Sequence, residues 1–241
     1  MKIKVIDVSK YQGSINWSKV KAAGVKGAII RCGYANRDGS ITEDHRFKAN
    51  MAGAIAAGVD VGVYVYSYVE SEEAARKAAQ RVLDMVRGYK VTYPLAWDYE
   101  DHKTYKLRSK AQNTAICRAA LSTWEEAGYY AILYTYRNFA ATYLNMAQLA
   151  DYDFWLAHYA SKTDYAGPYG MWQYSSSGSV DGISGRVDMN WAYKDYPAII
   201  KKAGLNKAAK LTTYKVGPLS EGDAKQVKAL ADKLQVGCVE V

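Results

Sequence analysis

Short apolar, β-prone runs punctuate the sequence at residues 2–7, 28–34, 61–67, 95–100, 131–136, 154–159, 170–175 and 187–193. Between several of them, residues 44–57, 71–86 and 109–127 carry helical periodicity. Strands alternating with helices predict a mainly parallel sheet. The stop signal repeats as well: Ala23-Gly24-Val25, Ala57-Gly58-Val59, Ala127-Gly128-Tyr129 and Ala203-Gly204-Leu205 each place Gly where a helix ends in a left-handed cap, and the first three lead into a strand. About eight strands with interleaved helices in roughly 200 residues predict an α/β fold, a (β/α)-barrel whose late helices are shortened, because 154–193 leaves little room between strands. A doubly wound open sheet is the competing architecture, and its GxGxxG fingerprint is absent.

The barrel is expected to occupy residues 1–204, followed by a linker at 205–211 and a small βαβ element at 212–241. In that element Ser220 is the expected N-cap of a helix with an apolar stripe of Ala224, Val227, Leu230, Ala231 and Leu234. So small a unit cannot shield its own stripe. It should dock on the barrel, pair with a second copy to make a homo-oligomer, or begin a module that is cut short here.

Composition narrows the function classes. With 49% hydrophobic and 23% charged residues and only 4 Pro, the chain is of ordinary globular type. Three widely spaced cysteines exclude a disulfide framework and any CxxC motif. Residues 51–69 are long and apolar enough to suggest a membrane span, but Asp60, three glycines and three tyrosines make them a helix end, a glycine stop and a strand, so no membrane insertion is expected. The N-terminus is charged and alternating, without a signal peptide's apolar stretch, so export by that route is not expected. The net charge of +8 is spread rather than gathered into a nucleic-acid stripe, so it gives a general attraction to polyanions, for which bacterial walls and nucleic acids both qualify. Tyrosine dominates the aromatics, 22 Tyr and 6 Trp against 3 Phe, which suits a sugar cleft as well as it suits strands.

Asp98 and Glu100 form the sharpest pair. In Pro94-Leu95-Ala96-Trp97-Asp98-Tyr99-Glu100 they lie two apart at the end of a strand, so both carboxylates enter one space at the end of the barrel where chemistry sits. Like charges so close raise one pKa, as a general acid requires. Asp7 ends the first strand and Asp188 lies in the last; first and last strands are neighbours in a closed barrel, so these acids should approach the pair. His102 and His158 lack partners at zinc spacing and read as polar loop residues.

Together these residues resemble glycoside hydrolase family 25, the N-acetylmuramidases common among phage endolysins. The resemblance is carried by DVSKYQG at 7–13, IIRCGY at 29–34, GVYVYS at 62–67, PLAWDYE at 94–100, LYTYRNF at 133–139, FWLAHY at 154–159 and WQYSSSGSVDGISGRVDMN at 172–190, in order, over about 5–193. It implies a barrel acting on bacterial peptidoglycan, with retaining cleavage of the β-1,4 bond after N-acetylmuramic acid and neither metal nor cofactor; with it, the N-terminus fits phage-type release from the cytoplasm or a secreted enzyme already trimmed. It makes Glu100 the general acid and Asp98 the group that orients the substrate's own 2-acetamido nucleophile. Asp7 and Asp188 match the family's other cleft acids, with positioning and tuning roles. Tyr34, Tyr64, Tyr66, Trp97, Tyr134, Trp172 and Gln173 become the expected substrate-binding residues, although Trp97 is out of register with Asp98. Many relatives carry His where this chain has Val65.

Other readings remain open at this level. An Asp-x-Glu strand also serves metal-dependent nucleases, which leaves DVSKYQG and WQYSSSG unexplained. A chitinase-like barrel would need acids at Tyr93 and Ala96. A non-catalytic wall-binding barrel would have little use for intact Asp98 and Glu100. The tail loosely resembles the start of a sporulation-related, peptidoglycan-binding repeat.

Overall fold

A computed structural model describes residues 2–207 and 217–234, without the side chains of His102, Thr104 and 232–234. The chain divides into two units, Met1–Ala209 and Lys210–Val241.

In the first unit the strands are β1 (Ile3–Val8), β2 (Gly27–Ala35), β3 (Ile41–Glu43), β4 (Asp60–Ser67), β5 (Leu95–Asp98), β6 (Ala131–Tyr136), β7 (Asp153–Ala157), β8 (Met171–Gly178) and β9 (Val187–Ala192). Its helices are α1 (Trp17–Ala22), α2 (Phe47–Ala56), α3 (Glu72–Val86), α4 (His102–Tyr105), α5 (Lys110–Glu126), α6 (Arg137–Tyr143) and α7 (Tyr196–Ala203). The strand order β1-β9-β8-β7-β6-β5-β4-β2, closed by β1 pairing with β2, makes an eight-stranded barrel, with β3 added outside β2. The eight strands expected within the barrel are all present. Periodicity missed β3, whose three residues are too short to show alternation. It also could not show that β9 runs antiparallel to both of its neighbours. No helix separates β8 from β9, as the shortened spacing required.

The apolar residues sort into two layers. Outside the barrel, α3 lays Ala74, Ala75, Ala78, Ala79 and Val82 against its neighbours, and side chains this small let α5 come close. Trp124 of α5 fills the remaining space, its indole donating to the Ala79 carbonyl at 3.0 Å. The caps agree with the sequence: Ser71 accepts from Ala74 N at 3.1 Å, and Ser109 with Gln112 closes a capping box on α5. Gly58 and Gly128 end their helices at φ 71° and 79°, conformations that side chains rarely adopt.

Inside the barrel, Val5, Ile29, Ala96, Ile132, Trp155 and Met171 form the inner layer, closed below by Tyr93, Tyr196 and Ile200. Gly27 gives room for this floor, since a Cβ there would meet the Tyr93 ring at 2.7 Å. Asn206 completes it, donating to the Tyr93 carbonyl at 2.9 Å and accepting from Tyr130 N at 2.7 Å. Leu205 and Asn206, expected to open the linker, therefore belong to the barrel.

In the second unit α8 (Glu221–Leu234) is capped by Ser220, whose Oγ accepts from Asp223 N at 3.2 Å. The strands expected at 212–216 and 236–241 lie outside the described residues.

No described helix is long and apolar enough to cross a membrane, and residues 51–69 divide between α2 and β4.

Candidate active site

Strand alternation at the barrel mouth decides what reaches the cleft. On β5, Ala96 and Asp98 face inward, with Glu100 just beyond; Leu95 and Trp97 face the helices. Asp7 of β1 stands in direct register with Asp188 of β9, and Asp98 of β5 lies between Tyr66 and Tyr134 on the flanking strands. All four acids thus meet at one mouth, which was the expectation from their places on the strands.

Burial raises them all, because desolvation disfavours the charged form. It pushes Glu100 up to about 7 against a hydrogen bond from Tyr134, and the charges of Asp188 and Asp101 push the same way. Burial lifts Asp188 to about 6. For Asp98, burial and the charges of Glu100 and Asp7 raise the pKa, whereas Arg31 lowers it. For Asp7, burial and Asp188 raise it, and hydrogen bonds from Asn190 and Gln173 oppose them. Asp98 Oδ1 and Glu100 Oε2 have no hydrogen-bond partner among the described residues. Buried polar atoms of this kind are rare enough to need a reason, and a substrate that donates to them supplies one.

Arg31 is the cation in this acid cluster. A bulge in β2 between Arg31 and Gly33 resets the alternation, so Arg31 pairs with Tyr64 and Tyr34 with Tyr66, and residues three apart face the same space. The guanidinium is clamped to Asp44, Nε to Oδ2 at 2.8 Å and Nη2 to Oδ2 at 2.7 Å. Asp44 is itself held by the backbone N–H groups of Lys10 and Arg46, at 3.0 and 2.9 Å. The rings of Tyr11 and Tyr34 cover Arg31 at 5.1 and 4.5 Å from their centroids.

Of the expected substrate-binding residues, Tyr34 and Tyr66 line one flank of the mouth, 5.9 Å apart between ring centres. Tyr64 and Tyr134 sit deeper, edge-on to Trp155 at 6.4 and 4.6 Å. Gln173 lies beside them, donating to Asp7 at 2.9 Å. Two expectations are corrected. Trp97 is 0% exposed, packed edge-on to Trp124 at 5.8 Å on the helix side of β5. Trp172, next to inward-facing Gln173, turns to the outer layer and donates to the His158 carbonyl at 2.8 Å. Neither ring can stack on a sugar in the cleft; odd register with an inward acid is the physical reason at Trp97. Val65 likewise faces the outer layer, so position 65 is directed away from the acids.

Tyr11, Tyr68, Tyr136, Tyr159, Arg31 and Asn190 were missed. Tyr68 packs on Tyr66 at 4.9 Å, and Tyr136 meets Tyr159 edge-on at 6.0 Å across the mouth. Period-two spacing from Tyr66, Tyr134 and Asp188 could have found Tyr68, Tyr136 and Asn190; no local signal marks the bulge at Arg31. Beside the mouth a hollow of about 590 Å³ is lined by Asn36, Arg37, Asp38, Tyr68, Asp101 and Lys103. A larger groove of about 810 Å³ lies between α1, α2 and residues 182–184, with none of the four acids on its wall.

Among the described residues no cluster of His, Cys, Asp and Glu could hold a metal ion. The arrangement is that of an acid with a raised pKa beside a second carboxylate, in a cleft walled by tyrosines, which suits protonation of a leaving oxygen on a neutral substrate.

Similarity to known proteins agrees with that chemistry. The chain is 29% identical to lysozyme M1 of Streptomyces globisporus, covering 78% of this chain and 67% of that protein. It is 29% identical to the autolytic lysozyme of Clostridium acetobutylicum, covering 78% and 55%. The solved structure of the modular autolysin LytC from Streptococcus pneumoniae superposes with a TM-score of 0.71 at 29% identity, covering 80% of this chain and 47% of that one. The chain therefore spans between about half and two thirds of the length of these relatives. The sequence profile described as glycosyl hydrolases family 25 matches residues 6–183, a span that runs from β1 past β8 and holds Asp7, Asp98 and Glu100, and the chain belongs to that family.

Proposed function

We propose that this chain is a lysozyme of the muramidase type, cleaving the β-1,4 bond between N-acetylmuramic acid and N-acetylglucosamine in bacterial peptidoglycan. The observation that carries the proposal is Glu100, poised near neutrality by burial and set two residues from Asp98 at the mouth of the barrel. The lysozymes and autolysins among its relatives support the reading, and LytC has been solved with a synthetic peptidoglycan ligand. None of these relatives favours a nuclease or a non-catalytic barrel.

In this reading Glu100 protonates the leaving glycosidic oxygen as the oxygen of the substrate's own 2-acetamido group bonds to the anomeric carbon. Asp98, favoured as the anion by Arg31, accepts from the amide N–H and stabilises the positive charge that develops. Glu100, now ionised, takes a proton from water as that water opens the cyclic intermediate, and the configuration is retained. Asp7 and Asp188 tune the charge around the pair. Tyr34 and Tyr66, with Tyr11 and Tyr68, form one wall for the glycan, and Tyr136 and Tyr159 the other. Residues 212–241 are an accessory element that tethers the enzyme to insoluble wall or pairs two copies of it, raising local concentration without touching the chemistry.

The test is mass spectrometry of digests of purified peptidoglycan, with and without chelator. Reducing-end muramic acid in both is expected; reducing-end glucosamine, amidase products or no products would refute the proposal.

A further inference from the structure

Asp7 is held by two side-chain amides, and the polarity of one of them, Asn190, is set from behind. Trp155 Nε1 donates to Asn190 Oδ1 at 2.7 Å. An indole N–H can only donate, so the end of Asn190 that faces it is oxygen. The other end is nitrogen, and it donates to Asp7 Oδ2 at 2.8 Å. Gln173 Nε2 donates to the same Asp7 oxygen at 2.9 Å, and its Oε1 faces the Tyr134 and Tyr159 hydroxyls at 2.8 and 3.0 Å; hydroxyls donate or accept, so only Asn190 has its polarity fixed by its partner. Asp7, Trp155, Gln173 and Asn190 are all buried, so bulk water cannot substitute for a lost donor. An oxygen receiving two N–H donors is not the hydroxyl oxygen of the carboxyl group, and both bonds favour the ionised form against the burial and the Asp188 charge that raise its pKa.

The other groups facing Asp7 make this constraint consequential. Asp188 from β9, Asp98 from β5 and Glu100 just beyond β5 oppose a second negative charge. Tyr64 of β4 and Tyr159 beyond β7 are neutral neighbours whose own ionisation Asp7 disfavours. Arg31 of β2 is the nearby cation, its Nε donating to Asp44 and its Nη2 2.7 Å from the same oxygen. The two amides are the groups that favour the Asp7 anion against its burial and these charges.

We propose that Asn190 is a positioning residue: oriented by Trp155, it favours the ionised form of Asp7 beneath the mouth, and that charge helps keep the proton on Glu100 between turnovers. The inference rests on the reading of Glu100 as general acid. Its first readout does not.

The experiment follows the aspartate carboxyl carbons of the full chain by NMR as pH is varied, with the Asp7 signal identified by its loss in Asp7→Asn. In Asn190→Ala the midpoint of Asp7 should rise by about one pH unit or more, the size expected for one hydrogen bond to a charged group. The alkaline limb of kcat/KM, set by ionisation of Glu100, should move to lower pH as the repulsion weakens. Trp155→Phe keeps a ring in place and removes the N–H, so it should shift both readouts in the same directions by less; it carries the test if Asn190→Ala does not fold. An unchanged Asp7 midpoint in a folded variant overturns the role of Asn190. A raised midpoint with an unmoved alkaline limb overturns the link to Glu100. A wild-type chain without muramidase activity defeats the functional reading and leaves the NMR comparison to decide the role of Asn190.

Discussion

Replacing Glu100 with Gln should abolish lysis and strengthen the fold at the same time. The amide has the same shape and cannot deliver a proton, so the rate on purified peptidoglycan should fall by the ~10²- to 10⁴-fold that general acid catalysis is worth. Stability follows from the same burial. Glu100 is raised from 4.5 to about 7; a group raised on folding contributes stability below its unfolded value, and that contribution is lost as pH climbs through the folded one. Above about pH 7 the ionised side chain therefore costs the native state on the order of 3 kcal/mol, a cost the Gln variant does not carry. Wild type and Glu100→Gln should melt at similar temperatures near pH 4. At pH 8 the variant should melt several degrees higher, since ~1 kcal/mol moves the midpoint by about 2–4 °C in a chain of this size. Reducing-end release measures the first effect and scanning calorimetry at the two pH values the second. Substantial residual turnover, or a stability gap that is the same at both pH values, would refute the assignment of a buried, neutral Glu100.

Asp98→Asn should lower kcat sharply with little change in KM, because its charge matters once the sugar becomes positive; steady-state kinetics that show lost affinity at unchanged turnover would make it a binding residue. Trp97→Ala should cost about 3–5 kcal/mol in denaturant unfolding through the cavity it leaves against Trp124, with KM of the surviving folded fraction unaltered; a raised KM would return Trp97 to the cleft. Arg31→Met alone should destabilise by about 3–5 kcal/mol, since it strands the buried Asp44 charge. Arg31→Met with Asp44→Asn should recover much of that, and the acid limb of its pH–rate profile should move to higher pH, because Asp98 loses the cation that favours its ionised form. Removing residues 212–241 should leave hydrolysis of soluble glycan chains intact and weaken lysis of whole cells; equal lysis by both chains, both monomeric in light scattering, would deny the tail its role.

The local rules written in the sequence were enough for the eight barrel strands, for α2, α3 and α5, and for the acids. Apolar runs of strand length, helical periodicity and Ser at the starts of α3 and α5 depend on neighbours a few residues away, so these elements are legible without the fold. Asp98 and Glu100 could be read as a pair because period two is a property of any strand. That same rule placed Trp97 on the opposite face, and it was the similarity of the motif, not the alternation, that had put the ring in the cleft. What the sequence alone could not supply were contacts between strands far apart in the chain. The direct register of Asp7 with Asp188 depends on β9 running antiparallel into the closed barrel, and Tyr34 shares the cleft with Arg31 because a bulge after Arg31 shifts β2 by one residue. The polarity of Asn190 is set by an indole 35 residues away. Spacing tells which face a residue occupies; closure of the barrel decides which charges and donors share the space within it, and so which of four acids keeps its proton.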